Sequence, residues 1–119
     1  MTTHPAKHNC FVYRGATFSE QIEWKDENGV AIDLTGYTAR LHMRETLEAP
    51  IPFLTLTTEN GGIALGGTAG TVDLLVSAAA TSAIAATSGV YDLELVAGDG
   101  VTVTRLLEGL VTISPEVTR

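Results

Sequence analysis

His4, His8 and Cys10 are of the residue types that hold transition metals, and they crowd the first ten positions of this 119-residue chain. A structural zinc asks for about four such ligands on a fixed frame. These three lie on or beside a polar opening stretch, with no second cysteine to complete a set. The expectation is solvated histidines, a small buried thiol and no metal. His42 falls on the polar side of an alternating segment and reads as a surface residue rather than a base. Nucleophilic catalysis lacks its signature, because there is no G-x-S-x-G elbow and Ser88-Gly89 has no preceding glycine. Glu20, Asp26, Glu27, Asp33, Asp73, Asp92 and Glu94 are each accounted for by polar strand faces and turns. Paired acids could cleave a glycoside, but the aromatics to line such a pocket are few. Gly61-Gly62 and Gly66-Gly67 lack the G-K-[ST] that would cradle phosphate, so turns explain them. The chain is expected to have no catalytic residues, no cofactor and no enzymatic activity.

A carbohydrate platform would need two or three exposed aromatics on one face. The chain has seven: Phe11, Tyr13, Phe18, Trp24, Tyr37, Phe53 and Tyr91. Trp24 and Tyr91 are in phase with core aliphatics and read as core. Arg14-Gly15-Ala16-Thr17 is a turn, and Ala16 stands where an integrin-binding Arg-Gly-Asp motif would carry its acid.

The elements that must hold these groups are strands. Tyr37, Ala39, Leu41 and Met43 alternate with Thr38, Arg40, His42 and Arg44, the zigzag of a half-buried strand. Similar runs are expected at about 8–14, 17–25, 30–34, 53–58, 70–76, 89–97 and 101–113, with the Tyr37 strand at 37–45. Phe18, Ile22 and Trp24 form the apolar side of the second strand. Asp26-Glu27-Asn28-Gly29, Thr35-Gly36 and Asp99-Gly100 supply tight turns, and Asn60-Gly61-Gly62 with Gly66-Gly67 frames a small loop. One short helix is expected near 77–86, capped by Ser77, with Ala80 and Ile84 on one face against the open end of the sandwich. The fold class that follows is all-β, an antiparallel two-sheet sandwich of immunoglobulin-like type. A flexible arm is expected at residues 1–7 and a single domain at 8–119.

Several apolar residues break phase with their neighbours: Leu75, Val90, Val96, Leu106 and Leu110. Two outcomes remain open. Either they cluster into an exposed patch suited to a subunit contact, or a bulge near Arg105 or Gly109 flips the register and buries both leucines.

The formal charge of −7 would repel phosphate backbones and anionic membrane surfaces, so neither nucleic acid nor membrane insertion is expected. One cysteine excludes an internal disulfide. No signal peptide or long apolar span is visible, so synthesis in a cytosol is expected.

Four segments together resemble a known group. They are Phe11-Val12-Tyr13-Arg14-Gly15-Ala16-Thr17-Phe18, Asp33-Leu34-Thr35-Gly36-Tyr37-Thr38-Ala39-Arg40, Gly89-Val90-Tyr91-Asp92-Leu93-Glu94-Leu95, and Arg105-Leu106-Leu107-Glu108-Gly109 leading to Ser114-Pro115-Glu116-Val117-Thr118-Arg119. In order and spacing they resemble small tail-associated proteins of tailed bacteriophages and prophages, and the immunoglobulin-like N-terminal domain of phage baseplate upper proteins. The resemblance covers roughly residues 8–113. It implies a virion structural part made in the bacterial host cytoplasm, without enzyme activity or cofactor. Such a part would dock to other tail or baseplate proteins and form a homo-oligomer. No shaft or receptor-binding tip is expected to follow the domain, so an adaptor role is expected rather than direct host recognition. The alternative is an immunoglobulin-like carbohydrate- or cell-surface-binding module, with a small hydrolase as a distant third reading.

Overall fold

Among the described residues, strands with alternating side chains build two sheets whose buried apolar residues form one core cluster. The computed structural model describes residues 5–118. In chain order the strands are β1 (Ala6–Lys7), β2 (Cys10–Tyr13), β3 (Phe18–Glu23), β4 (Thr38–Arg44), β5 (Leu54–Thr57), β6 (Ile63–Leu65), β7 (Thr71–Val76), β8 (Ser88–Val96) and β9 (Val103–Ser114). A helix, α1 (Ala78–Ser82), precedes β8, and a short 3-10 turn at Gly67–Ala69 precedes β7. The fold is all-β. The larger sheet runs β1-β9-β8-β4-β5, with β2 also on β9, and the smaller runs β3-β7-β6.

The core follows the alternation. Ala39, Leu41 and Met43 of β4, Tyr91, Leu93 and Leu95 of β8, and Val72, Leu74 and Val76 of β7 are all buried. Trp24 and Tyr37 close one part of the core edge to face, with centroids 6.3 Å apart and planes at 82°. The hairpins turn where a left-handed residue is needed: Gly29 has φ of 79° and Gly100 has φ of 74°.

The structure departs from the sequence expectations in five places. The run 30–34 is not a strand; only Lys25 and Ala31 make an isolated bridge, and Leu34 is buried by a turn whose amide donates to the Gly67 carbonyl at 2.9 Å. The loop between residues 60 and 67 contains the three-residue β6, paired antiparallel with β7. Sheet pairing begins earlier than residue 8, because Ala6 and Lys7 lie beside Leu107 and Glu108; residues 1–4 of the expected arm lie outside the described residues. The N-terminal strands run parallel to β9, where an antiparallel sandwich was expected. Finally, α1 stops at Ser82, and its buried side is Thr81 followed by Ile84, while Ala80 is exposed. Alanine propensity alone does not extend so short a helix. Ser77 caps it as expected, accepting from the Ala80 amide at 3.1 Å. The Thr81 hydroxyl ties it to the β2–β3 turn, accepting from the Gly15 amide at 3.0 Å and lying 2.9 Å from the Ala16 carbonyl.

Candidate functional site

On the outer face of the larger sheet, strand register lines side chains up in four rows across β4, β8 and β9. Arg44, Val90 and Leu110 form one end row, and Thr38, Val96 and Val103 form the other. Between them lie His42, Asp92 and Glu108, then Arg40, Glu94 and Arg105. The central rows are laced with charge pairs: Arg40 to Glu94 at 2.8 Å, Arg105 to Asp92 at 3.5 Å, Arg105 to Glu108 at 3.4 Å, and Lys7 to Glu108. Partial burial, and then the nearby Glu94 charge, hold the Asp92 carboxyl above its ordinary range. Lys7 and Arg105 hold Glu108 below its own. Above these rows lies a shallow open groove of about 700 Å³, lined in part by Leu47, Val90, Leu110, Arg44 and Arg105.

The five out-of-phase residues, for which a contact patch and a bulge were both open, do not come together. Leu110 is 59% exposed and sits directly opposite half-buried Val90 at one end of the face. Val96 is half-buried at the far end of the same face. Leu75 is 53% exposed but belongs to β7, in the other sheet. Leu106, a candidate contact residue, instead follows the bulge outcome: it is buried, at 8% exposure. The pairing steps from Leu93↔Leu107 to Glu94↔Arg105, so Leu106 is the extra residue of a β-bulge and turns inward beside Leu107. The bulge lies at Arg105 rather than Gly109, so it buries one of the two leucines and leaves the other on the surface.

A second constellation lies where β2, on the edge of the larger sheet, passes β3, on the edge of the smaller. Phe11 and Tyr13 alternate with buried Val12 and are 58% and 61% exposed on the same side of β2. A groove of about 530 Å³ beside them is lined by Phe18, Glu20 and His8 among others. On this edge the His8 imidazole contacts the Glu20 carboxylate, and the Cys10 thiol donates to the same carboxylate at 3.8 Å. Burial first, and then the Glu20 charge, push the Cys10 thiol up to about 11, against a contribution from the Tyr91 hydroxyl that lowers it. Burial raises the Tyr91 phenol as well. That hydroxyl donates to the His8 carbonyl at 2.6 Å, fixing the backbone from which the imidazole hangs.

The approach of His8 to β9 depends on a missing side chain. A Cβ on Gly109 would stand 2.1 Å from the His8 carbonyl oxygen, so only glycine lets the two backbones lie this close. The His8 amide then donates to the Glu108 backbone carbonyl at 3.0 Å, and the Asn9 side chain accepts from the Leu110 amide at 3.1 Å.

Reading donors along the sequence paired His8 and Cys10 with His4, which lies outside the described residues. The third group brought to them is Glu20. One signal for it was present: Glu20 is the polar residue between Phe18 and Ile22 on the apolar side of β3. Among the described residues no helix is long and apolar enough to cross a membrane. No protein-family model matches the chain, and no curated protein matches it either.

Proposed function

We propose that this chain is a non-enzymatic structural subunit of a phage or prophage tail or baseplate, an immunoglobulin-like sandwich that works through protein–protein contact. Its partners would be other tail or baseplate proteins and further copies of itself, and its place the virion, after synthesis in the bacterial cytoplasm. The four-segment resemblance supports this reading. So does the strand order β2-β9-β8-β4-β5 facing β3-β7-β6, with the first strand parallel to the last. The observation that carries it is Leu110, an exposed leucine beside Val90 and Leu47 at one end of a sheet face whose central rows are paired charges. An exposed apolar spot at the end of a charged face is suited to a contact that the charges orient. The test is Leu110→Glu in sedimentation of the purified chain and in virion assembly. Loss of oligomer and of assembly is expected. A chain that is strictly monomeric at high concentration, with assembly untouched by the substitution, refutes the reading.

Phe11 and Tyr13 favour a second reading, a carbohydrate- or cell-surface-binding module. They are a pair of exposed aromatics on one side of an edge strand, beside a groove. Glycan-array binding lost in Phe11→Ala or Tyr13→Ala would support it, and absence of binding in the parent chain would end it.

A further inference from the structure

We propose that His8, Cys10 and Glu20 form a binding site for a zinc-type divalent cation that staples the two sheets together at the β2–β3 edge. This goes beyond the assembly role proposed above and does not depend on it. The imidazole nitrogen, thiol sulfur and carboxylate oxygen of these three residues all lie within 4.8 Å of one another. Nitrogen, sulfur and oxygen donors together suit a borderline-soft cation, with Zn–S near 2.3 Å and Zn–N or Zn–O near 2.0 Å. Tetrahedral angles at those lengths place sulfur and oxygen about 3.5 Å apart. The Cys10 sulfur and the Glu20 oxygen stand 3.8 Å apart, so that pair is within a few tenths of an ångström of the tetrahedral separation.

Three further observations support the site. Two of the ligands are on or next to β2 and the third is on β3, so a bound ion would tie the larger sheet to the smaller. Glu20 occupies the same side of its strand as Phe18 and Ile22, with its carboxylate against both His8 and Cys10. The ligand frame is also held from behind: the Tyr91 hydroxyl fixes the His8 carbonyl, and Gly109 admits that backbone to β9. Three protein ligands leave a fourth position for water or for a donor entering the adjoining groove, the pattern of an open rather than a closed zinc site.

The test is titration of the reduced, chelator-treated full chain with Co²⁺, followed by displacement with Zn²⁺. Binding of one equivalent is expected, with a thiolate-to-cobalt charge-transfer band, ligand-field bands of tetrahedral intensity, and a rise in unfolding temperature with either ion. Glu20→Gln and His8→Ala should each weaken binding by more than the roughly 10–100-fold typical of losing an outer-shell partner. His42→Ala should leave it unchanged. Cys10→Ser should abolish the charge-transfer band; if that variant does not fold, the Glu20 and His8 variants decide the matter. Absence of a charge-transfer band in the parent chain, or affinity unaltered in both Glu20→Gln and His8→Ala, overturns the proposal.

Discussion

Leu106 and Leu110 lie four residues apart on one strand, yet the bulge at Leu106 predicts opposite consequences for the same substitution. Leu106 is part of the core and Leu110 is solvated. Leu106→Ala removes three buried carbons, at about 0.8 kcal/mol each by transfer. The cavity left behind adds to that, so the expected loss is about 3 kcal/mol, inside the roughly 2–5 kcal/mol range for buried leucines. For a chain of this size that lowers the unfolding temperature by about 10 °C. Leu110→Ala should stay within about 0.5 kcal/mol of the parent, as exposed substitutions do. The assay is urea unfolding of both variants at neutral pH and low protein concentration, with a shift in midpoint and no change in slope. Assembly should respond in the reverse order, with Leu110 mattering and Leu106 acting only through folding. Equal losses for the two variants, or less than about 1 kcal/mol for Leu106→Ala, would refute the bulge geometry and the contact surface built on it.

Gly109→Ala should cost about 1–3 kcal/mol, because the new methyl group meets the His8 carbonyl; the check is hydrogen exchange, in which the His8 amide should lose its protection. Tyr91→Phe removes the donor to that carbonyl and should cost about 1–2 kcal/mol in urea unfolding, and a neutral result would mean that water replaces the hydroxyl. Asp99 accepts from the Thr102 and Val101 amides and the Thr102 hydroxyl, which lowers its carboxyl from the ordinary value. A depressed carboxylate contributes stability above its unfolded value, and that stability is lost as pH falls through the folded one. Asp99→Asn should therefore flatten the acid side of the stability–pH curve; unfolding midpoints taken at descending pH that fall as steeply as the parent's would count against it.

What was legible in the sequence was local. The Tyr37–Arg44 alternation places Ala39, Leu41 and Met43 inside, and β8 follows the same rule with Tyr91, Leu93 and Leu95. Glycine turns at Gly29, Gly36 and Gly100 all adopt the left-handed backbone expected of them. What was not legible depends on partners distant along the chain. The break in alternation near Arg105 announced a bulge or a patch, but only pairing with β8 decides that Leu106 turns inward and Leu110 does not. β6 spans three residues, too few to show a period, and is a strand because β7 lies beside it. The juxtaposition of His8, Cys10 and Glu20 needs the crossing between sheets, which residue spacing does not encode.

The parallel pairing of β2 with β9 has a consequence for biosynthesis. Asn9 and Leu110, which meet at this seam, are 101 residues apart. At translation rates of roughly 5–20 residues per second, β2 waits some 5–20 s on the ribosome for its template. Through that interval Cys10, Phe11 and Tyr13 lack the strand they pair with, Val111 to Ser114. The domain's most vulnerable moment therefore comes before its last strand has emerged.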